Sequence, residues 1–212
     1  MNADLLLILV ALTNLKLLAS SRLGAAIRTA ALQGVLLGLL PVLAPGHPPT
    51  WRIAGMAIGS ILLKGVVFPW LLFRALRQAE VTREVEPYVG YVSSLLLGIV
   101  GLGVAFWLGN RLPIETAAAP PLLVPVAFFS IFAGLFLIVS RKRAVNQVLG
   151  FLVLENGIYT FGAGVAGETS LLVEAGILLD VFVAVFVMGI AIFHINREFD
   201  HIETDRLSSL KH

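Results

Sequence analysis

The stretch RKRAVNQVLGFLVLENGIYTFGAGV, residues 141–165, decides the fold. Three cations, Arg141, Lys142 and Arg143, stand before a run that is almost entirely apolar or small, and one acid, Glu155, interrupts it near the middle. A helix needs about 20 mostly apolar residues to cross the hydrocarbon of a bilayer, and basic residues collect at the ends of such spans. Working outward, seven runs of this kind are found: 4–19, 23–43, 51–73, 88–108, 121–139, 145–165 and 170–195. They are too long for membrane strands and do not alternate with period two. The first run has no basic leader and no small-residue cleavage site, so a retained helix is expected there rather than a signal peptide. The expected fold is an all-α integral membrane protein with seven transmembrane helices.

Composition agrees. Of 212 residues, 58% are hydrophobic and 13% charged, and mean hydropathy is +0.94. Soluble domains average about 45–50% apolar and about 25% charged, so a water-soluble globule is excluded. There is no cysteine, which removes disulfides, thiolate zinc sites, iron–sulfur ligation and covalent haem attachment. A net charge of +2 is too small to argue for nucleic acid. The joints, such as Pro45-Gly46-His47-Pro48-Pro49 and Arg111-Leu112-Pro113, are too short for a soluble domain, and residues 196–212 form a polar tail.

The cations set the expected orientation. Lys16, Arg22 and Arg28 flank the first joint; Arg74, Arg77 and Arg83 fill the third; Arg141, Lys142 and Arg143 fill the fifth; Arg197, Arg206 and Lys211 lie in the tail. The alternate joints hold Arg52 and Arg111. Twelve cations against two is a strong positive-inside bias. It predicts an outside N-terminus and a cytoplasmic C-terminus. Gly34/Gly38 and Gly55/Gly59 have small-xxx-small spacing, and Gly98, Gly101 and Gly103 crowd the fourth run, as expected of helices that pack closely in lipid.

Four ionisable groups fall deep in the runs: Lys64, Glu155, Glu174 and Asp180. A charge at the bilayer centre costs about 2.5–3.5 kcal/mol on insertion scales, so such groups usually face the bundle interior and mark ion paths. A fixed interhelical bond is the structural alternative. At about 1.5 Å per residue, Glu155 and Lys64 both lie roughly 15–18 Å from the basic joints, near the midplane. Asp180 sits slightly higher, and Glu174 near the outer mouth of the last run. Their six-residue spacing turns them about 120° apart, so they should not share a pocket. Lys64 beside Glu155 would make a pair able to exchange a proton or a charge state. Pro69, in the same run as Lys64, frees the carbonyl of Gly65; this reads either as a plain kink or as a broken helix of the transporter type. His194 ends the last run, where an imidazole could relay protons or simply sit at the headgroups. No phosphate loop, nucleophile–base pair or metal-ligand cluster stands in the sequence, and the last run lacks the lysine a retinal-type receptor needs. Covalent chemistry is not expected of this chain alone.

The segment from Arg141 to Gly157 resembles the second helix of subunit K of respiratory complex I, with arginines first and a glutamate before Asn156 and Gly157. Asp180 and the run His194-Ile195-Asn196-Arg197 resemble that module's next helix, and the C subunit of multisubunit sodium/proton antiporters is similar. With four further N-terminal helices, a length near 210 and the Leu154-Glu155-Asn156-Gly157 segment, the chain resembles the hydrogenase-4 component E family. The resemblance implies a four-helix N-terminal region (1–120), a three-helix subunit K-like region (121–195) and a cytoplasmic tail (196–212). It further implies a non-catalytic membrane-arm subunit of a proton-translocating hydrogenase-type complex in a prokaryotic inner membrane. Glu155, Asp180 and Glu174 would carry protons, with Lys64 as charge partner and His194 at the cytoplasmic end. No cofactor is expected in this chain; nickel–iron and iron–sulfur centres would lie in partner subunits. The expected partners are membrane subunits that resemble antiporters and the H subunit of complex I, hydrophilic hydrogenase subunits and the lipid bilayer. A cation/proton antiporter subunit and a purely structural subunit are the alternatives.

Overall fold

The computed structural model describes residues 3–43, 51–78, 87–112 and 120–165. They form helices α1 (Ala3–Ala19), α2 (Leu23–Leu43), α3 (Trp51–Leu62), α4 (Phe68–Gln78), α5 (Tyr91–Arg111), α6 (Leu123–Ser140) and α7 (Ala144–Val165). A π-helical turn, Leu63–Val67, joins α3 to α4. Both flanking residues are α-helical, Leu62 at φ −63°, ψ −46° and Phe68 at φ −61°, ψ −47°, so α3, the turn and α4 form one rod. Four helical stretches are long and apolar enough to span a membrane: Leu23–Leu43, Ala57–Arg77, Tyr91–Arg111 and Leu123–Ser140. The expected last helix, 170–195, lies outside the described residues.

The expected runs and the observed helices differ at their ends for local reasons. The third run is expected to stop at residue 73, yet α4 continues to Gln78. Arg74 stacks on Trp70 with its guanidinium 5.8 Å from the ring, a way for a long side chain to keep its charge at an interface. The fourth run is expected from residue 88, yet α5 starts at Tyr91. The preceding backbone is committed elsewhere: Tyr88 N–H donates to the Ser140 carbonyl, and Val89 O accepts from Arg141.

Arg141 ties one end of the bundle together. Its side chain donates to Leu18 O at 2.6 Å and to Val89 O at 3.0 Å, and its guanidinium lies 4.5 Å from the Tyr91 ring. The first, third and fifth joints therefore meet at the same end. Sequence reading treats Arg141 as one more loop cation, but it is only 1% exposed. A guanidinium on the terminal carbonyls of α1 satisfies groups that a helix end otherwise leaves without partners.

Two apolar cores fill the interior. One, near the Arg141 end, includes Leu17, Leu18, Ile27, Phe68, Leu72, Ala133, Leu149 and Val153. The other, toward the opposite end, includes Leu6, Leu7, Val10, Leu36, Leu37, Leu40 and Val124. Outward faces are aliphatic: Val139 and Val92 are 75% exposed, and Val100 and Ile99 also point out. Lipid or protein must cover this surface, since each Å² of apolar area left in water costs about 25 cal/mol.

Glycines decide which backbones touch. A methyl on Gly134 would lie 2.6 Å from Gly150 O, and one on Gly150 would lie 2.9 Å from Gly134 O and Ile138 N. Hence α6 and α7 meet backbone to backbone. Gly34 and Gly38 of α2 likewise face Lys64 and Ile61. Gly98 faces Leu18 and Gly101 faces Phe132, but Gly55, Gly59 and Gly103 meet nothing within 4 Å. The expected close approach at the Gly55/Gly59 pair is therefore not made within the described chain. This contrast sets the first prediction. Gly134→Ala should destabilise the purified protein by about 3 kcal/mol, the upper end of overpacking costs, because backbone cannot move aside. Gly59→Ala should gain about 0.5–1 kcal/mol from helix propensity. Thermal unfolding in detergent measures both, and equal effects would contradict the packing described.

Candidate functional site

Between the two apolar cores lies a polar layer. Its centre is the rod of α3, the π turn and α4. Pro69 has no N–H and its ring crowds the carbonyl four residues back, so the helix cannot run undisturbed past Gly65. The chain widens instead: Phe68 N–H bonds Leu63 O, five residues back. Such π turns recur at functional sites. Of the two expectations for Pro69, kink or break, the structure takes a third course, a continuous helix with a wide turn. Lys64 sits in that turn and points into the bundle, where Gly34 leaves room for its Cβ.

There it meets α7. Lys64 Nζ lies 2.7 Å from Glu155 Oε1, the two side chains being 6% and 2% exposed. The ammonium also donates to Asn156 Oδ1 at 3.0 Å, and the Tyr159 ring lies 5.4 Å from Nζ. The depth argument from sequence put the two charges at one level, and the fold brings them into contact. Burying each charge alone would cost about 2.5–3.5 kcal/mol in lipid; together, with a neutral acceptor and an aromatic face, they offset much of that.

The layer continues through groups that sequence reading passed over. Asn156 Nδ2 donates to Gln33 Oε1 at 3.1 Å. Gln33 Nε2 donates to Asn14 Oδ1 at 2.6 Å and to Thr13 Oγ1 at 3.2 Å. Asn14 Nδ2 donates to Ser130 Oγ at 2.8 Å. Five elements, α1, α2, the π turn, α6 and α7, thus share one connected set of buried polar side chains. A signal was present: Gln33, Lys64, Ser130 and Asn156 stand ten to fourteen residues from the ends that Arg141 gathers. Extending the depth count from charges to amides finds them.

A cavity of about 10 Å³ lies beside Lys64 and Asn156, lined also by Ile27, Leu72 and Leu152. That is room for about one water. Among the described residues, no group of three or more His, Asp and Glu side chains could hold a metal ion. Glu174, Asp180 and His194 lie outside the described residues, so the structure brings together two of the five expected site residues.

The fold and site define a class: an all-helical membrane protein whose bundle encloses a lysine–glutamate pair in a layer of amides. Over 194 residues, 89% of this chain and 86% of the relative, it is 34% identical to uncharacterized protein Rv0085 of Mycobacterium tuberculosis, and it belongs to the same family as that protein. It is also 33% identical over 119 residues to hydrogenase-4 component E of Escherichia coli K12 and of Shigella flexneri, a match spanning 56% of this chain and 54% of theirs. No family model and no solved structure matches.

The pair yields a second prediction. Lys64→Met removes the cation facing Glu155 and should cost about 3–5 kcal/mol, the usual result of taking one partner from a buried pair. Adding Glu155→Leu should recover most of that loss, since well-packed apolar replacements of buried pairs are often neutral. Thermal unfolding of single and double variants measures the coupling; strictly additive effects would mean the two charges do not interact.

Proposed function

We propose that the chain is a non-catalytic membrane subunit of a hydrogenase-type, proton-translocating complex, and that Glu155 carries protons at the membrane midplane with Lys64 as its counter-charge. One observation carries this reading: the 2.7 Å Lys64–Glu155 contact, buried between two apolar cores in a π turn. The likeness to hydrogenase-4 component E over about half the chain points to the assembly. A carboxyl beside a lysine can take up a proton from water and release it with little rearrangement, because the neutral acid still offers an oxygen that accepts from the ammonium. The cavity beside Lys64 has room for a single water next to the pair.

In this reading the chain crosses a prokaryotic cytoplasmic membrane seven times, with the N-terminus outside and the tail in the cytoplasm, following the positive-inside bias. Asp180, Glu174 and His194 extend the path toward the two surfaces. Redox centres, nickel–iron and iron–sulfur, reside in hydrophilic partner subunits. Membrane subunits resembling antiporters and the H subunit of complex I cover the exposed aliphatic faces.

Two measurements test it. Reporter fusions should place His212 in the cytoplasm and Gly46 outside; a tail on the outer side overturns the orientation. Glu155→Gln keeps the volume and removes the titratable proton. Proton uptake by vesicles holding the assembled complex should fall several-fold, with subunit content and soluble-side electron transfer retained. Unchanged uptake with normal assembly overturns the carrier role and leaves a structural one.

A further inference from the structure

The amide chain has a direction, and the direction is dictated from its far end. Ser130 Oγ spends its proton on Val126 O at 2.9 Å, and Thr13 Oγ1 spends its proton on Val10 O at 2.7 Å. Each hydroxyl has one proton, so both can only accept from the side chains beside them. Asn14 must therefore present its NH₂ to Ser130, and Gln33 its NH₂ to Thr13. The Asn14 oxygen then accepts from Gln33, and the Gln33 oxygen accepts from Asn156. Nothing is left for Asn156 but to turn its own oxygen toward Lys64, where it accepts from Nζ. Reversing any one amide would set two NH₂ groups or two oxygens face to face elsewhere in the chain. The outcome is three amide dipoles aligned with their oxygens toward the ammonium, in a dry layer where such dipoles act strongly.

We infer that Asn14, Gln33 and Asn156 are positioning residues that, together with the Thr13 and Ser130 hydroxyls, hold Lys64 as a fixed ammonium even when Glu155 carries no charge. The groups facing Lys64 divide the work. Glu155, Asn156 and Tyr159 all come from α7, and Asn156 alone is backed by other helices, through Gln33 of α2 and Thr13 and Asn14 of α1. Glu155 is then the member of the pair that can change charge, while Lys64 stays in place as its standing cation. That division of roles rests on the proton-carrier reading of Glu155; the anchoring of Lys64 does not.

The test uses the full chain with ¹⁵Nζ-labelled lysine. The sequence has four lysines, Lys16, Lys64, Lys142 and Lys211, and loss of one resonance in Lys64→Met assigns the signal. In Glu155→Gln the Lys64 resonance should keep its ammonium shift at neutral pH. In Glu155→Gln with Gln33→Met, a swap of similar volume that severs the chain at its middle, it should move to the neutral-amine shift. An amine shift in Glu155→Gln alone, or an ammonium shift in the severed variant, overturns the inference. Should Gln33→Met fail to fold, Ser130→Ala breaks the chain at its far end, and an ammonium shift there in the Glu155→Gln background equally overturns it. Failure of the carrier role appears in proton uptake and leaves these resonances unmoved, so the two ideas fail separately.

Discussion

A lysine and a glutamate cannot lie separately in the middle of an apolar bundle, and much of this structure follows from that. The pair must touch, so the rod that carries Lys64 must come within reach of α7. That requires a small residue where the rod crosses α2, and Gly34 stands there. It requires α7 to be held rigidly at the level of Glu155, and the backbone contact of Gly134 with Gly150 fixes it against α6. The second acceptor on the ammonium, Asn156, then needs its own NH₂ satisfied, which recruits Gln33, Asn14 and Ser130 in turn. Each buried polar group calls for the next until the chain ends at two hydroxyls bonded to backbone carbonyls.

The result inverts the plan of a soluble bundle. Here the interior has a polar waist between two aliphatic cores, while valine, isoleucine and leucine cover the outside. In lipid that arrangement is stable, because apolar outward faces meet apolar tails and polar groups find their partners inward. The waist also gives the bundle a single register. Sliding one helix by a residue would leave an amide or a charge facing hydrocarbon, at a cost of several kcal/mol.

Much of this was legible in the residues. The run 23–43 coincides with the helix Leu23–Leu43, because apolar length and flanking cations mark a span directly. The common depth of Lys64 and Glu155 followed from counting residues inward from basic joints, because helix rise is nearly constant; that the two side chains touch depends on how the helices are arranged, which no count along one helix contains. The amides escaped notice because an Asn or Gln in an apolar run is individually ordinary, and only the pairing of donors with acceptors across helices gives it meaning. Gly55/Gly59 illustrates the opposite failure. Small-xxx-small spacing tells what a backbone permits, and the spacing is identical at Gly34/Gly38, where a neighbour is present, and at Gly55/Gly59, where within the described chain none is. Arg141 could not be told from its neighbours Lys142 and Arg143 by charge alone; its burial depends on carbonyls contributed by residues 18 and 89, far away in sequence.

The π turn has a consequence for the outside of the molecule as well. A wide turn accommodates one residue more than an α-turn, so it sets back the azimuth of everything beyond it by about 100° relative to an unbroken helix. Along the α3 half, Ile58 and Leu62 look outward; along the α4 half, Trp70 does, while Phe68, Leu71 and Leu72 look in. Val66, in the turn itself, is exposed as well, so Ile58, Leu62, Val66 and Trp70 form one outward stripe that passes the turn without a break. A single straight neighbour can therefore follow the rod past the turn, whereas an unbroken helix of the same sequence would carry Trp70 about 80° out of line with Leu62.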